Sequence, residues 1–350
     1  MTSPKVLIVG AGAVGGYAGA FLARAGVDVV LVDPWPDHVE AMRARGLRIA
    51  MMEPGQSFTT PVRALHLCDV PQLVREDPFD IAIVAVKSYD TAWATQLAVP
   101  YLRPEGCVVS MQNSINEDTV AAVAGWGRVV GCCVNVLAAE LTEPGVVVRN
   151  SLRGTAEKTG LAVGEVHGRV TPRARMIAEL LRDADTTAVT TNLWGERWSK
   201  LTINAMRNGV CAMTGMSGRE RDTDPRGLHL SIRLGSQAVR VGWAQGLSLA
   251  PVAGVELEPL GRAEHDAGAM AFCRQQVLDV LHTKSDAQRP SMGQDIRKGR
   301  RTETDMINGL VARRGREFGV DAGLHAAVHA LVGRVERGEV QPSPALMDGL

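Results

Sequence analysis

The sequence of 350 residues has no excess of charge of either sign: Lys and Arg number 38, as do Asp and Glu, and the pI is about 7.1. No net field draws such a chain to nucleic acid or an anionic membrane. One local basic run, Arg297–Arg301, is followed directly by Glu303 and Asp305 and reads as a solvated helix face. No apolar run approaches the ~18–20 residues needed to cross a bilayer. The start of the chain lacks a basic segment leading into an apolar one, so no signal peptide is expected. The six cysteines form no Cys-x-x-Cys pair and no Cys/His set with zinc spacing, so no metal site is expected. Most of them sit in apolar stretches, where cysteine acts as a small hydrophobe. That suits a reducing cytoplasm rather than a secreted disulfide scaffold. Internal repeats and low-complexity tracts are also missing.

What is present suits a folded protein with a real core: 45% of residues are hydrophobic and 22% charged, near the globular average. The length suits two domains at roughly 100–200 residues each. Short β-branched runs at Lys5–Gly10, Asp28–Asp33, Asp80–Lys87, Cys107–Gln112 and Arg128–Asn135 read as strands. Helical patterns lie between several of them, at Val14–Ala25, His38–Arg45, Thr91–Leu102 and Glu117–Ala124. This alternation predicts βαβ units and a parallel sheet covered on both faces. Gly26 and Gly46 fall where helices would end. Val146–Val166 is more hairpin-like, and a helix over Pro172–Leu181 and a strand over Thr186–Thr191 close the first domain. After Thr191 helical periodicity takes over. The expectation is an α/β Rossmann-type N-terminal domain over 1–191 and a mostly helical C-terminal domain over 192–350. Pro251–Gly268 reads as a loop or short-helix insertion, and the tail after Arg337 as loose.

Three segments carry chemistry. The first is Gly10-Ala-Gly12-Ala-Val-Gly15, after the first strand and at the start of the first helix. The bare motif is weak, but its context is that of a dinucleotide turn. Gly10 would permit the tight turn, Gly12 the approach of a pyrophosphate, and Gly15 the packing of helix on sheet. The pyrophosphate would meet the helix N-terminus. Gly16 and Gly19 would tighten that packing further. Asp33 ends the second strand near the spacing at which an acidic residue meets the adenine ribose. A carboxylate there would repel a 2′-phosphate, which favours NAD, with NADP the alternative. The plainer role for Asp33 is a cap on the next helix.

The second segment places Lys200, Asn204 and Asn208 at i, i+4, i+8, on one face of a helix. It is either a solvated face or a polar pocket wall. The third runs from Arg289 to Gly309. Ser291 with Gln294 has the form of a capping box, yet a hydroxyl at a helix start can also bind a carboxylate. Glu303 would lie three turns further along the same helix, among Met292, Ile296, Met306 and Leu310, where it could orient a lysine and hold its charge.

Taken together, these residues resemble the ketopantoate reductase (2-dehydropantoate 2-reductase) family. The resemblance rests on Gly10–Gly16, Val86-Lys87-Ser-Tyr-Asp90, Gln112-Asn113-Ser-Ile-Asn-Glu117-Asp118, Trp198-Ser-Lys200-x-x-x-Asn204-x-x-x-Asn208, and Pro290-Ser291-Met-x-x-Asp295 with Thr302-Glu303-x-Asp305. It implies an active site in a cleft between the two domains, and hydride transfer between a nicotinamide cofactor and a small 2-oxo or 2-hydroxy acid. Lys200 would be the general acid/base. Asn204 and Asn208 would contact substrate, Asn113 would stand near nicotinamide and substrate, and Ser291 would take the substrate carboxylate. Glu303 would support the lysine and the cofactor ribose, and Lys87 would lie on the cofactor side. The C-terminal domain would carry substrate contacts and a dimer interface, which leaves room for a homodimer. Ser114 departs from the family's usual glycine, Asp33 from the basic or neutral residue of NADP users, and Pro251–Gly268 looks like an addition. NAD use would suit a catabolic 2-hydroxy acid dehydrogenase acting on something other than pantoate. β-Hydroxyacid dehydrogenases share the Lys-x-x-x-Asn helix, but the glycine-rich segment they carry before it is missing here. A dinucleotide sensor without catalysis would need the turn but not Lys200, Asn204, Ser291 and Glu303 together.

Overall fold

The structure, a computed structural model, describes residues 3–251, 254–283 and 289–350. They divide into two compact units after Leu193.

The first unit contains β1 (Val6–Val9), α1 (Ala13–Arg24), β2 (Val29–Val32), α2 (Pro36–Arg45), β3 (Leu47–Ala50), β4 (Phe58–Thr60), β5 (Arg63–Leu65), β6 (Phe79–Val84), α3 (Thr91–Ala98) and β7 (Leu102–Ser110). It continues with α4 (Glu117–Ala124), β8 (Val129–Val134), β9 (Ala139–Glu143), β10 (Val146–Arg149), β11 (Leu161–Glu165), α5 (Pro172–Leu181) and β12 (Thr187–Thr190). Eight strands form the main sheet, in the order β12-β11-β8-β7-β6-β1-β2-β5. All its pairings are parallel except β11 with β8. β1 and β2 are apolar along their whole length, as expected of strands covered by helices on both faces. β1 pairs with β2 on one side and β6 on the other, so the strand order reverses beside it. The crevice outside the C-terminal ends of strands at such a reversal is where open α/β sheets bind ligands.

A second sheet, β4-β3-β10-β9, was not expected from the sequence. Its strands are three to five residues long, too short for alternation to stand out. The same holds for β5, which extends the edge of the main sheet beyond β2. The helix expected over Thr91–Leu102 stops at Ala98, and a 3-10 turn through Pro100 leads into β7.

The second unit is helical: α6 (Leu193–Thr214), α7 (Gly218–Thr223), α8 (Pro225–Ala244), α9 (Leu257–Arg262), α10 (Ala267–Asp279), α11 (Ser291–Arg297), a π-turn at Asp305–Gly309, α12 (Leu310–Glu317) and α13 (Gly323–Glu336). Three expectations are corrected here. The helix from Ser291 does not run on to Glu303. It ends at Arg297, and Gly299 at φ +61° turns the chain. The basic run at Arg297–Arg301 is exposed, but it lies on that turn rather than on a helix face. The tail is not loose: Ser343 N–H donates to the Met213 carbonyl at 3.0 Å, and Met347 is buried. Within Pro251–Gly268 the structure shows α9, while Val252 and Ala253 lie outside the described residues.

A buried polar relay fastens the π-turn. Asn308 Nδ2 donates to the Ala205 carbonyl at 2.9 Å and lies 3.1 Å from His325 Nδ1, while His325 Nε2 lies 2.8 Å from the Leu234 carbonyl. An amide donor on Nδ1 and a carbonyl on Nε2 define the neutral ring protonated at Nε2. Burial pushes the His325 pKa down to about 4. Between that value and the ordinary 6.5 the unfolded chain binds the extra proton, so stability is lost as pH falls through this window. Over about 2.5 pH units this amounts to about 3 kcal/mol. Urea midpoints of the wild type and His325→Gln should therefore differ most above pH 7 and converge towards pH 4.5. A gap that stays constant with pH would contradict a neutral buried imidazole.

Candidate functional site

The glycine-rich turn lies between β1 and α1. Gly10 has φ +95°, and a Cβ there would stand 2.8 Å from Val86 Cγ1 and Val86 N. A Cβ on Gly15 would collide with the Gly10 carbonyl oxygen and approach Ala85 Cβ to 2.9 Å. Glycine is thus required at both positions by the protein itself. Gly12 differs, since a Cβ there would meet no heavy atom within 4 Å. The open space at Gly12, at the start of α1 and beside the reversal in strand order, fits the close backbone approach of a dinucleotide pyrophosphate.

Neighbouring segments converge on this turn. Asp33, buried at the end of β2, accepts the Ala11 N–H on Oδ2 and the Trp35 N–H on Oδ1, each at 2.9 Å. It is not the cap of α2, because Trp35 occupies that position. Lys87 follows β6 and leads into a 3-10 turn over Ser88–Asp90. Asn113 follows β7. The two loops are joined: Gln112 Nε2 donates to the Val86 carbonyl and to Thr91 Oγ1, both at 2.9 Å. The Asn113 carbonyl accepts from Asn116 Nδ2 at 2.7 Å and Ser88 Oγ at 3.2 Å. Contacts therefore run from Asp33 through the Gly10–Gly12 turn and Val86 to Gln112, and Asp33, Lys87 and Asn113 all lie beyond the C-terminal ends of strands β2, β6 and β7. The sequence reading did not single out Gln112, Ser88 or Asn116 as the bonds between these loops. It also missed His38, which is fully buried with Nε2 2.9 Å from the Ala11 carbonyl.

The second unit holds the other set. Lys200, Asn204 and Asn208 lie on one face of α6, with both asparagines buried. Asn208 Nδ2 donates to Ser291 Oγ at 3.4 Å. Ser291 is the first residue of α11 and makes no cap, Pro290 taking the cap position, so the capping-box role is corrected. Gln294 instead donates to the Arg289 carbonyl at 2.9 Å. Glu303 is buried and precedes the π-turn, which Asn308 bonds to α6 at Ala205, next to Asn204. Ser291 and the π-turn thus reach α6 from two later segments.

Burial pushes the Cys107 and Cys273 thiols up to about 11 and raises Cys211 as well, which leaves these three poor nucleophiles. Among the described residues no three His, Cys, Asp or Glu side chains gather to hold a metal ion, and no helix is long and apolar enough to cross a membrane.

A glycine-rich turn of this geometry on a parallel sheet, followed by a helical unit, is the arrangement of a dinucleotide-binding protein. Comparison with known proteins makes the class narrower. The family profile "Ketopantoate reductase PanE/ApbA" matches residues 6–159, and its C-terminal counterpart matches residues 192–336. A 2-dehydropantoate 2-reductase of Archaeoglobus fulgidus is 30% identical over 341 residues, covering 97% of this chain and 100% of the relative. One from Mesorhizobium japonicum is 30% identical over 95% of this chain and 99% of its own length. The crystal structure of a PanE/ApbA family ketopantoate reductase from Ralstonia eutropha superposes with a TM-score of 0.76 at 28% identity, covering 96% of this chain and 99% of the other. D-mandelate dehydrogenase with NADH and anilino(oxo)acetate has the same fold, with a TM-score of 0.78 at 20% identity over 95% of this chain and 98% of the other. The chain belongs to the ketopantoate reductase family, NAD(P)-dependent oxidoreductases that act on CH–OH groups.

Ser114 is the one non-glycine residue at positive φ among the described residues, at +66°. It stands in the loop that holds Asn113 and is buried. The left-handed region costs an L-residue roughly 1–2 kcal/mol, and a β-branched residue more. Ser114→Gly should keep or raise the melting temperature, while Ser114→Val should lower stability by about 2 kcal/mol. Equal losses in both variants would place the cost in the serine hydroxyl rather than in the backbone.

Proposed function

We propose that the chain is an NAD(H)-preferring enzyme that interconverts a small 2-oxo acid and its 2-hydroxy acid, with 2-dehydropantoate and pantoate the first pair to test. The observation that carries the substrate end is the buried polar face of α6, where Asn208 is bonded to Ser291 from a separate segment. In this reading the hydroxyl and amides of Ser291, Asn204 and Asn208 take the carboxylate and other polar groups of the acid. Asn113 stands beside the reacting carbonyl, and Lys87 on the cofactor side. The nicotinamide, when bound, supplies or takes the hydride. Lys200 donates a proton to the carbonyl oxygen as negative charge develops there, and as a neutral amine accepts it in the reverse direction. Glu303 supports the charged lysine and the cofactor ribose. Asp33 is a fixed carboxylate at the end of β2, where a 2′-phosphate would lie, and this supports NAD. Six free thiols, five of them buried, suit a reducing compartment such as the cytoplasm. A homodimer through the helical unit belongs to the same reading. A dinucleotide sensor would have no use for the lysine–amide face.

The test is absorbance turnover of a panel of 2-oxo acids with NADH and with NADPH. kcat/KM should be at least about tenfold higher with NADH, the equivalent of 1.4 kcal/mol. Equal efficiency with NADPH would refute the role given to Asp33, and no turnover of any acid would favour the sensor. Lys200→Ala should lower kcat by roughly 10²–10⁴-fold while NADH still binds within a few-fold of the wild type. Near-normal turnover would remove Lys200 from the chemistry and make Lys87 the next candidate.

A further inference from the structure

His38, on the first turn of α2, is fully buried. Its Nδ1 accepts the Gly145 N–H at 2.9 Å, from the turn between β9 and β10. An acceptor at Nδ1 leaves the proton of the neutral ring on Nε2. Nε2 therefore donates to the Ala11 carbonyl, 2.9 Å away. The same residue gives its N–H to Asp33 Oδ2 at 2.9 Å. Ala11, the spacer of the Gly10–Gly12 turn, is thus held by both of its backbone polar groups.

A trans peptide is planar, so the carbonyl of one residue and the N–H of the next point in opposite directions. Pinning the Ala11 carbonyl towards His38 aims the Gly12 N–H the other way. By the same rule, Asp33 turns the Gly10 carbonyl away from itself, and that oxygen packs against Gly15 of α1. We propose that His38 is a positioning residue for the cofactor: it fixes the Ala11–Gly12 peptide so that the Gly12 N–H stays aimed at the pyrophosphate, and the β9–β10 turn selects the tautomer able to do so. This rests on the reading of Gly10–Gly15 as a dinucleotide turn. The small second sheet then has a functional consequence, because it supplies the N–H that sets the histidine proton.

Two substitutions separate this role from simple packing. Asparagine places an amide oxygen near the position of Nδ1, keeping the acceptor for Gly145 and losing the donor to Ala11. Glutamine reaches the Nε2 position, keeping that donor and losing the acceptor. Both His38→Asn and His38→Gln should lower the melting temperature. NADH affinity, read by fluorescence titration, should fall roughly tenfold in His38→Asn, as expected for one lost hydrogen bond, with KM for NADH following and kcat within about twofold. His38→Gln should bind NADH within about threefold of the wild type. Equal weakening in both variants, or none in either while the wild type binds NADH, would overturn the proposal alone. A wild type that binds neither NADH nor NADPH would overturn the dinucleotide reading, and this proposal with it.

Discussion

The first unit depends on how closely α1 lies on the parallel sheet. Gly15 brings the helix against the Gly10 carbonyl and Ala85, and at Gly19 a Cβ would press on Leu31 at 2.9 Å. Helix on sheet at that separation is what puts the first turn of α1, with its unpaired N–H groups, directly over the end of β1. The far side of α1 is fastened by a buried polar network. Tyr17 donates to the Ala184 carbonyl at 2.9 Å and accepts from Arg149 Nη1 at 2.7 Å. Arg149 in turn pairs with Asp185 at 2.7 Å, both fully buried. Removing one partner of such a pair strands a charge in the interior, at a cost of several kcal/mol. The glycines set how near the helix can come, and the arginine network fixes where along the sheet it rests.

The second unit solves a different problem with different means. Its polar face is a stripe on one long helix, so the helix alone fixes the spacing of Lys200, Asn204 and Asn208. Two later segments meet it: Ser291 opens α11 and reaches Asn208, and the π-turn after Glu303 is bonded to Ala205. Seven residues of α11 end in a glycine turn, and a π-turn follows Glu303. The turn at Gly299 and the π-turn change the direction of the chain where a continuous helix from Ser291 would have carried Glu303 straight on. The Asn308–His325 relay holds the π-turn on α6 from beneath.

The parts of this arrangement that were legible in the sequence are those written in local pattern. The strands that carry the glycine turn and Asp33 are continuous apolar runs, those leading to Lys87 and Asn113 are apolar over their C-terminal parts, and α4 and α5 begin and end where their patterns do. The polar stripe of α6 is a matter of spacing alone. The unread parts depend on partners distant in the chain. Gly145 lies 107 residues from His38, and nothing near either residue announces the bond. The three-residue strands β4 and β5 have no periodicity to read, and they form because neighbouring strands offer them hydrogen bonds. Ser291 illustrates the reverse error: a pattern of capping residues is present, but Pro290 takes the cap and leaves the hydroxyl to Asn208.

The two backbone bonds held by Asp33 bear on how cofactor choice could change in this lineage. In the reading given above, the carboxylate that discriminates against a phosphorylated ribose is also the acceptor for Ala11 and Trp35. A drift towards the phosphorylated cofactor that began with a basic or aliphatic residue at this position would strand two N–H groups, at roughly 1–3 kcal/mol for each one buried. The accessible path runs through asparagine or serine, short side chains that keep an oxygen for at least one of those donors while giving up the charge. Specificity and turn geometry are inherited together here, and a change in one is constrained by the other.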